Sequence, residues 1–529
     1  DGMFSLANWD RRSECVTLAR DRSGVKPLYY ADLRPGIVFG SEMKAVCQVP
    51  QVDRHVDSQA LVGHMTYLWS PGPGTLLQGV RKMDPGSWLD IQNGRIEESG
   101  NFRESLPVRS KVPRAPAELR TRLQAAVAEQ LVSDVPVGAF LSGGLDSTIL
   151  VALARREVGA LDCFTLNAAS DYSAADGFAD DFPYAKEAAR QLGVRLYAAR
   201  VGSEICDHVD YMLFHLDEPQ ADLAPLQTYA IASMARGIGV KVLLSGAGGD
   251  DLFAGYRRHI AIKLERYWTW LPEFLRARAA SGAAQLSAAS PIGRRVRKAL
   301  DYAALNGDDR IVSYLQWFNP SAALGLLTPE YRENALGEEL TRPFVDELSR
   351  VPPANSDLAR ALSLDERFFL VDHNLNYTDK MSMAAGVEVR VPFLSPSILE
   401  FAHKLPDEQL VRGMRTKWVL REAAKGLVPD SIMNRPKSGF GVPLRAWVRG
   451  PLSPWMSEML KPETLRERGI FDPGSVRRLV EANSTGAVDA TYTLLAVAFI
   501  ERWFQLFVDR IPRQQAVIRP AEPAWQRVV

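Results

Sequence analysis

Two short segments hold residue types that together suit phosphate chemistry. Leu141-Ser142-Gly143-Gly144-Leu145-Asp146-Ser147 stands where an apolar run, Val135 to Leu141, meets a helical pattern beginning at Thr148. Two glycines let the backbone turn tightly and approach a ligand, while the free N–H groups and dipole of a helix start favour an anion. No lysine follows the glycines as it does in a Gly-x-x-x-x-Gly-Lys-Ser/Thr loop, so the phosphate charge has to be met by a metal ion and a distant base. The second segment, Ser245-Gly246-Ala247-Gly248-Gly249-Asp250-Asp251-Leu252-Phe253-Ala254-Gly255-Tyr256, also follows an apolar run, Lys241 to Leu244. Carboxylates from separate strand ends suit Mg²⁺ bridging phosphate oxygens, because hard cations take oxygen ligands and keep several waters. Asp146 and Asp250 are therefore the expected ligands. A strand-to-helix turn capped by Asp146 and Ser147 explains the first segment taken alone. It does not explain why glycines and acids recur after a second strand.

A third stretch, Asp379 to Leu394, interleaves Lys380, Glu388 and Arg390 with small and apolar residues. Charges in such a core-like stretch need partners. A Glu388–Arg390 network orienting the loop before Pro392 accounts for them as well as direct substrate contact does. These three and Asp251 are carried forward as candidate substrate residues.

The elements that must position these groups follow two rhythms. From 1 to 106 short strand-like runs alternate with Gly and Pro, and Asn93-Gly94 between Trp88-Leu-Asp-Ile and Arg95-Ile predicts a hairpin. This portion reads as antiparallel sheet. A proline-studded linker spans 107–116, after which helical patterns alternate with apolar strands at Val135–Leu141, Cys163–Leu166, Val194–Ala198 and Lys241–Leu244. That alternation predicts an α/β domain with a parallel sheet over 117–510, with ligands at the strand C-terminal ends. Beyond about 255 the periodicity is mostly helical, and 511–529 reads as a loose tail.

Composition narrows the function classes. Lys plus Arg and Asp plus Glu are each 63, so no net charge marks the chain for nucleic acid or an anionic membrane. The longest apolar stretch, near 490–500, is about half of the roughly 20 residues needed to span a bilayer. Cys15, Cys47, Cys163 and Cys206 are far apart and form no Cys-x-x-Cys, so buried thiols in a reducing cytoplasm are expected.

In order and spacing, these segments resemble the glutamine-dependent asparagine synthetases and their amide-forming relatives. Ser142 to Ser147 is similar to their pyrophosphate loop, Ser245 to Tyr256 to their second nucleotide segment, and Met381 to Leu394 to their signature helix and loop. The likeness continues through Gly413-Met-Arg-Thr-Lys417-Trp-Val-Leu-Arg421 and Arg435-Pro-Lys-Ser-Gly-Phe440-Gly-Val-Pro443. It also extends back into Gly2-Met-Phe, Leu18-Ala-Arg-Asp-Arg22, Lys26-Pro-Leu-Tyr-Tyr30 and Gly40-Ser-Glu42. The resemblance implies a ligase that uses ATP and Mg²⁺ to activate a carboxylate, aspartate's side chain in the parent activity, as an acyl-adenylate. Ammonia from glutamine then gives the amide. It further implies that Ser142, Gly143, Gly144 and Ser147 hold the pyrophosphate. Leu141, Leu166, Ser245 and Gly246 would flank the nucleoside, Lys417 would supply the electrophilic charge, and the protein would be a cytoplasmic homodimer.

The chain departs from that pattern in three places. The glutaminase half of the family begins with a nucleophilic cysteine and His-Arg-Gly-Pro-Asp, Asn-Gly-Glu and Asp-Thr-Glu runs, none of which occurs here. Residues 1–106 therefore read as the second part of such a domain, with about a hundred residues expected upstream and no glutaminase nucleophile in this numbering. Ala247 and Ser395 stand where relatives often carry acids, which puts the acceptor in question, with Arg390, Lys380 and Arg257 as candidate cations for it. A related ligase acting on a sugar acid, a peptide or a ring-closing substrate is the nearest alternative. A non-catalytic nucleotide-binding scaffold would need none of Asp146, Asp250 and Lys417.

Overall fold

The computed structural model describes residues 2–34, 36–168, 180–285, 293, 296–297, 300–335, 340–435, 443–509 and 525–529. Its first hundred residues form β1 (Ser5–Asp10), β2 (Cys15–Arg20), β3 (Tyr29–Asp32), β4 (Ile37–Gly40), β5 (Arg81–Lys82), β6 (Ser87–Gln92) and β7 (Arg95–Asn101), all paired antiparallel. They make a four-stranded sheet of order β1-β2-β6-β7 and a three-stranded sheet of order β4-β3-β5. Asn93 and Gly94 turn the β6–β7 hairpin with φ of +50° and +72°, the left-handed pair that suits strand twist. Between the sheets' strands lie α1 (Met43–Val46) and α2 (Ser58–Tyr67), whose start is capped by the Asp57 carboxylate accepting from Gln59 and Ala60 N–H.

The second half is built on a six-stranded sheet of order β12-β11-β8-β9-β10-β13. Its strands β8 (Val137–Phe140), β9 (Asp162–Ala168), β10 (Arg195–Val201), β11 (Val242–Leu244) and β12 (Glu388–Arg390) run parallel. Its helices include α3 (Ala115–Leu131), α4 (Leu145–Glu157), α5 (Phe182–Leu192), α6 (Val209–Leu216), α7 (Ala224–Gly237) and the short α8 (Gly249–Leu252). Adjacent residues of β9 serve opposite faces: Cys163 packs with Leu141 and α4, and Phe164 with α7 and the C-terminal helix Thr491–Phe507. Strand order places β9 and β10 on one side of β8 and β11 on the other. The sheet's topological switch point therefore lies between β8 and β11, and open α/β sheets bind ligands beyond the strand C-termini at such a point.

Two elements differ from the sequence reading. Glu388–Arg390, read as part of a loop, is an edge strand paired with β11, and its charges suit an edge that must not aggregate. The tail, read as loose, ends in β13 (Trp525–Arg527), which pairs antiparallel with β10 and closes the opposite edge. Three residues are too few to show a period. The preceding 510–524 lie outside the described residues, as does most of the Arg-Pro-Lys-Ser-Gly-Phe run, 436–442.

All four cysteines are buried free thiols. Burial pushes the thiols of Cys47 and Cys206 up to about 12, so they are protonated and unreactive at neutral pH.

Candidate active site

The first corner follows β8. Leu141 is fully buried, its N–H bonded to the Phe164 carbonyl at 2.9 Å. The chain then turns through Gly143 at φ +66°, where a Cβ would stand 2.4 Å from the Ala185 N, so only glycine lets α5 approach. The Ser142 and Ser147 hydroxyls lie 3.1 Å apart across the turn. Gly144 caps α4 without a side-chain acceptor, so no side chain covers the first-turn N–H groups as an Asp or Ser cap would.

The second corner follows β11, one strand away. Ser245 N–H is held by the Arg390 carbonyl at 2.8 Å, and Gly248 turns at φ +89° against Leu394. Gly246 and Gly249 face the first corner: a Cβ on Gly249 would stand 2.8 Å from Asp146 Cγ, and one on Gly246 3.0 Å from Asp146 Cβ. The recurring glycines thus let Asp146 reach across to Asp250.

Lys417 lies between the two carboxylates. Its backbone takes the left-handed φ of +54° at the start of the helix Trp418–Ala424, and its ammonium, almost fully buried, is 2.5 Å from Asp146 Oδ2 and 2.7 Å from Asp250 Oδ1. Burial alone would pull the lysine pKa down. The two carboxylates outweigh that and hold it above its ordinary value. Two acids converging on one cation form an arrangement that a divalent ion also fits. Among the described residues no group of three or more His, Cys, Asp or Glu could hold a metal, so an ion at this pair would need further oxygen ligands from phosphate or water.

Leu166 is half-buried near the C-terminal end of β9. Asp251 is buried behind Asp250 and accepts from the Tyr256 hydroxyl at 3.1 Å. Burial, then the like charges of Asp365 and Asp250, push its carboxyl up to about 8. The Arg390 guanidinium is 2.6 Å from Glu388 and donates to the carbonyls of Gln130 and Val132 at 2.7 and 2.8 Å. It secures the end of α3 to the sheet edge, so the Glu388–Arg390 pair has a structural role. Lys380 is not with the two corners: its ammonium donates to Asp217 and sits 4.7 Å over the Tyr29 ring at the seam with the N-terminal half. Arg257 is exposed at the start of the helix Arg257–Glu265.

One residue escaped the site reading. Arg435 donates to the Ser142 carbonyl at 3.2 Å, pairs with Asp181 and stacks 4.2 Å over the Tyr184 ring, which brings a second cation to the first corner. It opens the Arg-Pro-Lys run, so its place in a recurring segment was the available signal. Ala247 is half-buried, and Ser395, mostly buried, lies 3.4 Å from the Ser397 hydroxyl, so neither position supplies an acid to the site.

Comparison with known proteins finds two family matches: asparagine synthase over residues 118–505 and a glutamine amidotransferase domain over residues 1–102. The chain is 30% identical over 516 residues to asparagine synthetase [glutamine-hydrolyzing] 1 of Bacillus subtilis, covering 96% of this chain and 78% of that one. It is 30% identical over 526 residues to a putative asparagine synthetase [glutamine-hydrolyzing] of Mycobacterium bovis, with 96% and 77% covered. It is 26% identical over 524 residues to the amidase chyE of Penicillium rubens, with 91% and 75% covered.

Proposed function

The chain belongs to the asparagine synthase family and is an ATP-dependent, amide-forming ligase; we propose that it adenylates the side-chain carboxylate of aspartate and transfers glutamine-derived ammonia to it. The observation that carries this reading is the convergence of Asp146, Asp250 and Lys417 at the switch point of the sheet. The α-β-γ phosphates lie along the Ser142–Ser147 turn, with Ser142, Gly143, Gly144 and Ser147 about the departing pyrophosphate and Leu141, Leu166, Ser245 and Gly246 beside the nucleoside. Asp146 and Asp250 are the residues that would hold Mg²⁺, which would supply neutralising charge for the leaving pyrophosphate.

The chain's own contribution is fixed positive charge. The Lys417 ammonium, held between Asp146 and Asp250, is the fixed charge available to the phosphate oxygens that gain charge as the acyl–phosphate bond forms. Stabilisation that grows only in the transition state raises the rate without tightening ground-state binding. Arg435 orients the Ser142 carbonyl and so the turn itself. The residue 1–102 portion belongs to the side of the enzyme that supplies ammonia from glutamine.

A second reading, with an acceptor other than aspartate, is favoured by Ala247 and Ser395 standing where the resembling enzymes often carry acids. One experiment separates the two: ATP–pyrophosphate exchange measured with L-aspartate and with a panel of sugar acids and peptide carboxylates. Exchange that depends on aspartate supports the first reading. Exchange with another acid alone supports the second, and none with any carboxylate removes both.

A further inference from the structure

The outer surface of the second half carries an apolar cluster that the ligase site does not use. The helices α9 (Arg257–Glu265) and α10 (Glu273–Ala284) are joined by a tight turn, and Leu264, Tyr267, Trp270, Phe274 and Leu275 all lie exposed around it. Trp270 is 74% exposed, Phe274 64% and Tyr267 62%. Five large apolar side chains within twelve residues form a patch, whereas the other exposed ones among the described residues are scattered along the chain.

This turn is built rather than frayed. Arg276, itself buried, donates to the carbonyls of Leu271 at 3.1 Å, Ala303 at 2.6 Å and Leu305 at 3.1 Å and to Asn306 Oδ1 at 2.7 Å, tying the turn to the segment behind it. Glu265 at the end of α9 is bound by Arg310 at 2.6 Å and by the Tyr314 hydroxyl at 2.7 Å. Several polar atoms of the patch are paired within the turn itself. Trp270 Nε1 donates to the Tyr267 carbonyl at 2.8 Å, and Arg266 donates to the Tyr267 hydroxyl at 2.8 Å. The N–H groups of Tyr267, Trp268, Thr269 and Leu271 reach carbonyls of the same turn at 2.9–3.1 Å. Donors paired within the turn lower the cost of moving its aromatic side chains out of water.

Charge selects the phase. Arg266 and Arg278 are exposed beside the aromatics, and Glu273 is the exposed acid among residues 263–278, since Glu265 is buried and paired. The patch is therefore positive on a chain whose total is zero. Tyr and Trp with flanking arginines are the side chains that settle at the headgroup level of a bilayer, and arginines there are drawn to anionic lipid. We propose that the α9–α10 turn is a peripheral membrane anchor, with Tyr267, Trp270 and Phe274 entering the headgroup layer of an anionic phospholipid surface and Arg266 and Arg278 meeting its phosphates.

The test is sedimentation of the full chain with vesicles of phosphatidylcholine alone and of phosphatidylcholine with an equal part of phosphatidylglycerol, at about 0.1 M salt. The expected result is binding to the anionic vesicles. It falls about tenfold or more in the double variant Trp270→Ser/Phe274→Ser, falls in Arg266→Ser/Arg278→Ser, and weakens as salt rises. Pyrophosphate exchange in solution is unchanged in these variants. Wild-type protein that stays in the supernatant overturns the proposal, as does equal binding by the aromatic variant. Dimerisation in the ultracentrifuge that Trp270→Ser/Phe274→Ser abolishes, without vesicle binding, overturns it in favour of a second copy of this chain.

Discussion

Gly255 lies so close to Asp250 that a Cβ on it would stand 1.8 Å from Asp250 Oδ1 and 2.3 Å from Lys417 Cε. Its N–H also donates to the Asp250 carbonyl at 2.8 Å, so backbone and side chain of the acid are both set by this glycine. Gly255→Ala is expected to displace the carboxylate or the ammonium. Misplacement on the order of 1 Å in a catalytic group costs about a hundredfold in rate. ATP–pyrophosphate exchange should fall by about that factor when measured below the melting temperature of the variant. An exchange rate equal to wild type would show that the Asp250–Lys417 geometry does not govern adenylation.

Lys417→Met leaves Asp146 and Asp250 facing each other without the ammonium that now lies between them. Loss of one positioned charge at a transition state costs about 10²–10³ in rate, and exchange is expected to drop accordingly. The same variant should gain more thermal stability from Mg²⁺ than wild type does, because the ion then supplies the only neutralising charge. Asp146→Asn should reverse that trend by removing an anionic ligand. An equal Mg²⁺-induced shift in all three proteins would argue against metal binding at this pair.

The two glycine-rich corners were legible because each combined a strand pattern, a turn chemistry and an acid within about ten residues. The parallel strands β8 to β11 were legible for the same reason, as uninterrupted apolar runs set between helical patterns. Contacts over long sequence separation were not. Lys380 sits in a run that reads as a candidate substrate segment, yet its partners Asp217 and Tyr29 come from two remote stretches. The partners of Arg390 are the carbonyls that end α3, and backbone acceptors leave no trace in residue types. Arg435 could be matched but not positioned, since its contacts with Ser142, Asp181 and Tyr184 depend on how α4 and α5 pack. The exposed α9–α10 turn was hidden by a neutral total that averages over local clusters.

Asp217 joins the two halves of the molecule. It is fully buried at φ +65°, accepts from Met43 N–H and Lys44 N–H at 3.1 Å each and from the Lys44 ammonium at 3.0 Å, pairs with Lys380, and gives its carbonyl to Trp503 at 2.6 Å. Burial would raise its pKa, but Lys380 and Lys44 outweigh that and hold it below the ordinary range. Removing one partner of a buried charge pair costs roughly 3–5 kcal/mol. Lys380→Met and Asp217→Asn are each expected to lower the urea midpoint by a margin of that order. The paired variant should recover part of the Asp217→Asn loss, because Lys44, which keeps Glu42 at 3.1 Å, is then the one ammonium left at that position instead of two facing each other. Additive losses in the double variant would show that the two side chains are not coupled.

His64 gives the chain an acid-sensitive point in α2. The ring is fully buried, with Nδ1 3.1 Å from the Ser70 hydroxyl, and burial, then the nearby Lys82 charge, pull its pKa from 6.5 to about 3. A base whose folded pKa lies below its unfolded one is neutral in the native state and protonated in the unfolded state between those values. Its contribution to stability is therefore complete above pH 6.5 and is lost as pH falls from 6.5 towards about 3. One proton taken up on unfolding gives a slope of at most about 1.4 kcal/mol per pH unit. Urea unfolding of wild type and His64→Gln at several pH values between 7 and 4.5 isolates this group, because every other titration is common to both proteins. The stability difference should shift in favour of the variant as the solution is acidified. A difference that stays constant across that range would mean that the native ring carries the same charge as the unfolded one.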